Sequence, residues 1–170
     1  IVSPRQSFLA AEAEAKRHGL NVLYLGDRIE GEAREVAKVH AAIAQQIAQY
    51  DMPVRRPCVV LSGGETGVTV RGAGRGGRNV EFSLALAIAL AGQTGIHAVA
   101  ADTDGVDGME PISGALVTPD TLMRARALVI NLQEALENNE GHGLFEALGD
   151  QVITGPTQTN VNDFRAILIP

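Results

Sequence analysis

The chain has 170 residues and carries 14 Lys+Arg against 20 Asp+Glu, a formal net charge of −6. That acidic balance gives no electrostatic footprint for nucleic acid, and an apolar share of 45% with 20% charged residues argues against a disordered tail. The longest apolar stretch, near Leu84–Ala91, is well short of the ~18 residues a membrane helix needs.

Ile1-Val2 reads as the end of a strand, and the missing initiator Met points to a piece of something longer. Ser3-Pro4-Arg5-Gln6 carries a helix start: Ser3 caps, Pro4 suits the first helical position and Gln6 completes a capping box. That helix should stop at Gly19. Asn21–Leu25 is a short buried strand, and Gly26–Gly31 a polar loop. A long helix follows from Glu32 to about Tyr50, with Val36, Val39, Ile43 and Ile47 as its apolar stripe. Cys58–Leu61 is a second buried strand. Its single cysteine allows no internal disulfide and points to a reducing, cytoplasmic setting. Thr66–Arg71 alternates and is expected to be an edge or antiparallel strand. A helix apolar nearly all round spans about Asn79–Ala91, then a third buried strand spans Ile96–Ala101. Thr118-Pro119-Asp120 starts another helix. Short helices are expected near Gln133–Glu137 and Leu144–Leu148, and strands at Val152-Ile153 and Phe164–Ile169. Strands alternating with helices predict one α/β domain over residues 1–170, a layered α/β/α arrangement on a mixed, mainly parallel sheet.

In open α/β sheets ligands bind where loops converge at strand ends. Four loops here are rich in Gly, Asp, Thr and Asn: Ser62–Thr66, Gly72–Asn79, Asp102–Gly108 and Thr154–Asp163. Each is explained by turn chemistry alone when taken singly. Gly72, Gly74 and Gly77 match the dinucleotide fingerprint G-x-G-x-x-G, with Asp102 placed as a ribose-binding acid. The same loop nearly fits a phosphate loop, with Arg78 for Lys and Asn79 for Ser/Thr. Both readings expect backbone amides and a helix N-terminus closing on an anion. Arg71, Arg75 and Arg78 favour phosphoryl or carboxylate groups over a dinucleotide; surface arginines in a glycine hinge are the bland alternative. Asp102-x-Asp104-x-x-Asp107 is not a calcium loop, because Val106 takes a ligand position and Ser113 replaces the closing Glu. Facing an arginine-rich loop, these acids suit Mg²⁺ bridging to phosphate, or a base beside an attacking hydroxyl. The bland alternative is an Asp-Gly turn with solvated carboxylates. Four scattered histidines and one cysteine show no zinc spacing.

Leu61–Asn79 (LSGGETGVTVRGAGRGGRN), Ala100–Gly108 (AADTDGVDG), Ser113–Val117 and Thr154–Asp163 (TGPTQTNVND) resemble the C-terminal half of class II glycerate 2-kinases, the MOFRL-type family whose members are often labelled hydroxypyruvate reductases. The resemblance implies a two-domain enzyme of which this chain is the C-terminal part, with ATP, Mg²⁺ and D-glycerate meeting in a cleft shared with an N-terminal domain. It implies phosphorylation of the 2-hydroxyl to give 2-phosphoglycerate, and a homodimer is compatible with it. Within it, Arg78 stabilises the transferring phosphoryl group or holds the substrate carboxylate, and Arg75 assists. Asp102 and Asp104 hold Mg²⁺ or orient the hydroxyl. Ser62, Gly63, Gly64, Glu65, Gly74, Gly76, Gly77, Thr157 and Asn160 line the nucleotide side. Gly67, Val80 and Asn139-Glu140-Gly141 depart from the family pattern, which bears on substrate preference more than on fold. The fragment alone is expected to be inactive, since a basic residue is expected from the N-terminal domain. Two alternatives stand beside this reading: an NAD(P)H-dependent hydroxypyruvate reductase, and a non-catalytic anion- or nucleotide-binding module.

Overall fold

A computed structural model describes residues 3–170, so the strand end expected at Ile1-Val2 lies outside the described residues. The first helix, α1 (Pro4–Arg17), starts on the expected reciprocal cap. The Gln6 amide donates to Ser3 Oγ at 3.3 Å, and the Ser3 amide donates to Gln6 Oε1 at 3.0 Å. There follow β1 (Asn21–Tyr24), β2 (Ile29–Glu32), α2 (Ala33–Tyr50), β3 (Cys58–Gly67), α3 (Arg78–Leu90), β4 (His97–Asp102) and β5 (Gly114–Val117). Three short helices come next, α4 (Thr121–Ala127), α5 (Leu132–Glu137) and α6 (Gly141–Leu148), then β6 (Gln151–Val152) and β7 (Asp163–Ile169).

The sheet runs β1-β3-β7-β4-β5-β6, with β2 pairing the far end of β3. β1, β2, β3, β4 and β6 point one way, and β5 and β7 the other. The sheet is therefore mixed, and most strands share one direction. This is the mixed sheet expected; because β7 and β5 run against the others, two of its six pairings are parallel and four antiparallel.

The layers follow from strand alternation. Along β7, Asp163, Arg165, Ile167 and Ile169 are buried on one face, while Phe164, Ala166 and Leu168 turn to the other. The first face meets α2, α3, α5 and α6 in the main core. On the second face, Val59, Leu61 and Phe164 pack against Phe8 of α1, with Phe8 and Phe164 stacked at 5.2 Å between centroids. The helix α3 is buried nearly all round, as its sequence demanded.

Four local expectations change. The buried face of α2 is alanine-rich (Ala33, Ala37, Ala41, Ala44, with Ile47), whereas Val39 of the expected stripe is 60% exposed. Small residues let α2 pack closely on α3, so contact distance, not bulk, decides the face. The strand expected at Thr66–Arg71 ends at Gly67, where the partner strand β2 also ends. β2 itself falls partly in the segment read as a loop; its sequence Ile-Glu-Gly-Glu has no apolar alternation to announce it. Finally, α4 begins after the Thr118–Asp120 segment expected to open it, with Asp120 as N-cap.

Candidate functional site at the ends of β3, β4 and β7

Arg78 is the first residue of α3, which sets its side chain against the ends of three strands. Each nitrogen of its guanidinium donates to a different carboxylate. Nε meets Asp163 Oδ1 at 2.7 Å, Nη1 meets Glu65 Oε1 at 3.1 Å, and Nη2 meets Asp102 Oδ2. Asp102 closes β4, Asp163 opens β7 and Glu65 lies on β3, so ladder register brings them together. Burial pulls Arg78 down, but the charges of Asp163 and Asp102 outweigh it and hold the guanidinium above its ordinary pKa. Burial pushes the Asp102 carboxyl up to about 6, against the pull of the Asp104 amide and of Arg78.

Arg78, Asp102 and Glu65 face one cleft of about 990 Å³. Arg75, Asp104, Gly74, Gly76, Gly77 and Asn160 line it too. Val70 and Met109 stand at its rim, both strongly exposed.

The glycine loop differs from an anion cradle. Asn139 Oδ1 accepts the amides of Arg71 (2.6 Å) and Gly72 (3.0 Å). Asn138 accepts those of Ala73 (3.1 Å) and Gly74 (2.9 Å), and Glu140 that of Arg75 (3.1 Å). At the N-terminus of α3, Asp107 accepts the amides of Asn79 and Val80, both at 3.0 Å. A carboxylate of the protein thus already sits where the dinucleotide and phosphate-loop readings place a ligand's anion. The glycines answer instead to close packing. A Cβ would lie 2.5 Å from Asn138 O at Gly74, 2.7 Å from Asn139 O at Gly76 and 2.5 Å from the Asp107 carboxyl at Gly77. Among the described residues nothing hydrogen-bonds the Gly76 and Gly77 amides, and both residues line the cleft.

Other expected residues lie elsewhere. Ser62 is buried under the sheet, hydrogen-bonded to His40 Nε2 at 2.8 Å. Gly63 faces Phe8, and Gly64 packs on the backbone of Ile29, so neither lines the cleft. Thr157 binds the Asp102–Gly108 loop, its Oγ donating to Thr103 O. Arg75 does line the cleft, at its rim, but is paired there with Glu110 (2.8 Å) and Glu146 (2.6 Å). The histidines stay out of the cleft: His40 and His142 are buried, and His18 and His97 are exposed.

Mg²⁺ in kinases is met by one or two carboxylates plus phosphate oxygens. Asp102 has both oxygens committed, to Arg78 and to the Asp104 amide at 3.1 Å. Asp104 accepts the Val106 amide at 2.8 Å through one oxygen, and no described residue bonds the other. Among the described residues no group of three or more His, Cys, Asp or Glu is placed to hold a metal alone. The donors fit an ion carried in on phosphate and met by Asp104.

Sequence reasoning gave no individual role to Asp163, which holds Arg78 Nε, nor to Thr66 and Arg165, which together with Asn79 donate to Asp163. The available signal was Arg165 itself, a charge inside the apolar run FRAILI.

Fold and cleft together define an α/β domain with a charge-lined site at its strand ends. Residues 58–163 match the MOFRL family, and the chain belongs to that family. An Agrobacterium vitis protein carrying a hydroxypyruvate reductase name is 50% identical over 99% of this chain and 39% of its own length. The D-glycerate 2-kinase of Thermotoga maritima is 38% identical over 94% of this chain and 38% of its own length. A crystal structure of glycerate kinase from Thermotoga maritima superposes with a TM-score of 0.96 at 36% identity, covering 99% of this chain and 41% of that one. The chain spans about two-fifths of the length of these relatives. Among the described residues no helix is long and apolar enough to cross a membrane.

Proposed function

We propose that this chain is the C-terminal part of a glycerate 2-kinase that moves the γ-phosphoryl group of ATP to the 2-hydroxyl of D-glycerate, giving 2-phosphoglycerate. The observation that carries this reading is Arg78, fixed by buried carboxylates and turned to a cleft large enough for a nucleotide and a small acid. Similarity to D-glycerate 2-kinase supports it.

The Nη1 edge of Arg78 is the accessible one, because its partner Glu65 is 59% exposed whereas Asp102 and Asp163 are 4% and 0% exposed. A phosphoryl oxygen displaces Glu65 there and gains a charge-assisted hydrogen bond. Asp102, ionised at neutral pH with a pKa of about 6, takes the hydroxyl proton as the new O–P bond forms and the bond to the ADP oxygen breaks. Mg²⁺ entering with the nucleotide would be held by Asp104 and would offset phosphate charge. The Gly76 and Gly77 amides supply neutral donors beside the same phosphates. An N-terminal domain completes the cleft.

The test is a coupled assay of the full-length protein with D-glycerate and Mg-ATP. Formation of 2-phosphoglycerate is expected, and its absence overturns the reading. Oxidation of NAD(P)H by hydroxypyruvate without ATP would install the reductase alternative. Against that alternative stands Asp107, which occupies the amides a pyrophosphate would need.

A further inference from the structure

We propose that Asp163, with Arg165 as its buried counter-charge, is a positioning residue that sets the orientation of the Arg78 guanidinium; the proposal deepens the kinase reading and rests on it. Asp163 does not line the cleft, and its side chain is fully buried. It therefore acts on a reaction only through what it touches.

Its surroundings are built for a fixed carboxylate. Oδ1 accepts from Arg78 Nε at 2.7 Å and Asn79 Nδ2 at 3.1 Å. Oδ2 accepts from the Thr66 amide at 3.0 Å, Thr66 Oγ1 at 3.3 Å and Arg165 Nη2 at 2.6 Å. Donors from β3, α3 and β7 thus converge on one group, and none of its oxygens can turn without breaking several bonds. Of the three partners of Arg78, Asp163 alone meets Nε. That contact fixes the plane of the guanidinium, because Nε is bonded to the side-chain stem.

Asp163 and Asp102 are direct cross-strand partners, so two carboxylates stand side by side at the sheet end. Like charges opposite each other repel. Arg78 bridges them, but a single guanidinium shared by buried carboxylates has its charge largely cancelled. Arg165 removes part of that cancellation. It lies two residues along β7, hence on the same face, is 1% exposed, and rests against the Phe82 ring at 5.1 Å. Asp163 can then orient Arg78 while Arg165 balances the Asp163 charge, and the cationic edge at Nη1 stays available to an anion.

The experiment uses the full-length protein. Asp163→Asn is expected to lower kcat by about 10²-fold, with KM for both substrates changed by less than about threefold, as for a displaced catalytic group. In an Arg78→Ala background the same substitution is expected to add no more than about a twofold loss, because the two act as a unit. Equal losses in both backgrounds would reduce Asp163 to a structural residue, and an unchanged kcat in the single variant would overturn the proposal outright. Should Asp163→Asn fail to fold, Asp163→Glu keeps the charge and moves the carboxylate; it is expected to fold and to show the same kcat loss, and full activity would count against positioning. A readout independent of turnover is phenylglyoxal modification of Arg78, followed by mass spectrometry. Faster labelling is expected in either variant than in the wild type, and equal labelling rejects the clamp. If the wild type makes no 2-phosphoglycerate, the kinase reading fails while the labelling still decides the clamp.

Discussion

At the scale of single residues, the site shows how burial and charge divide the work among three acids on one arginine. Asp163 is enclosed and saturated with donors, Glu65 is exposed and replaceable, and Asp102 lies between, with its proton affinity raised chiefly by burial. For Asp102 the pH consequences have opposite signs. Its folded pKa of about 6 exceeds the ordinary 3.8, so the folded state binds more protons between those values. Its contribution to stability is full below about pH 4 and is lost as pH rises through about 6. In the proposed mechanism activity goes the other way, because the ionised carboxylate is assigned as the base. We expect kcat/KM of the full-length protein to fall about tenfold per pH unit below pH 6 and to level off above it. Asp102→Asn should remove that acidic limb along with most of the rate; a retained limb would assign the titration to another group. Asp102 was legible in the sequence because it ends an apolar run in an Asp-rich loop. Asp163 was not, since the ladder that brings it opposite Asp102 joins segments some sixty positions apart.

Secondary-structure elements were legible where local chemistry alone decides them. The start of α1 is written in Ser3 and Gln6, and the burial of α3 in its uninterrupted Leu and Ala content. The loop from Gly72 to Asn79 was misleading for the opposite reason. Its glycines match anion-binding patterns, yet what fills its amides comes from Asn138–Glu140 and Asp107, remote in sequence. Two of the departures from the family pattern meet here as well, for a Cβ on Gly141 would fall 2.8 Å from Val80 Cγ2. The Val80 side chain uses room that Gly141 leaves, so the two positions are packed as a pair. Asp107 serves α3 as a cap delivered from another loop, while burial raises its own pKa. Asp107→Ala leaves two buried helix amides unpaired, each costing about 1–3 kcal/mol. A clearly lowered melting temperature of the full-length protein is expected, together with loss of activity, because Arg78 rides on that helix end. An unshifted melting temperature would show that water or a neighbour replaces the cap.

At the scale of the whole molecule, strand order was the least legible feature, because β7, the last strand, enters between β3 and β4. The sequence marks which segments are strands but not which edges they seek. That insertion nevertheless makes the site, since it carries Asp163 and Arg165 to the middle of the sheet. The resulting cleft has a charged floor and a mixed rim, on which the apolar Val70 and Met109 are 76% and 98% exposed. Apolar rim residues favour being covered, at about 25 cal/mol for each Å² removed from water. Relatives are more than twice as long as this chain, and an N-terminal domain resting on that rim would both cover it and dry the site. Drying strengthens the Arg78 interactions with phosphate, since charges attract more strongly away from water. The isolated 170-residue chain is therefore expected to show no glycerate phosphorylation above background, while the full-length protein turns over. Hydrogen exchange read by mass spectrometry should show slower exchange at residues 68–77 and 103–110 in the full-length protein than in the isolated chain. Turnover by the isolated chain, or equal exchange in the two, would mean that the cleft needs no second domain and that Arg78 and its carboxylates are sufficient as they stand.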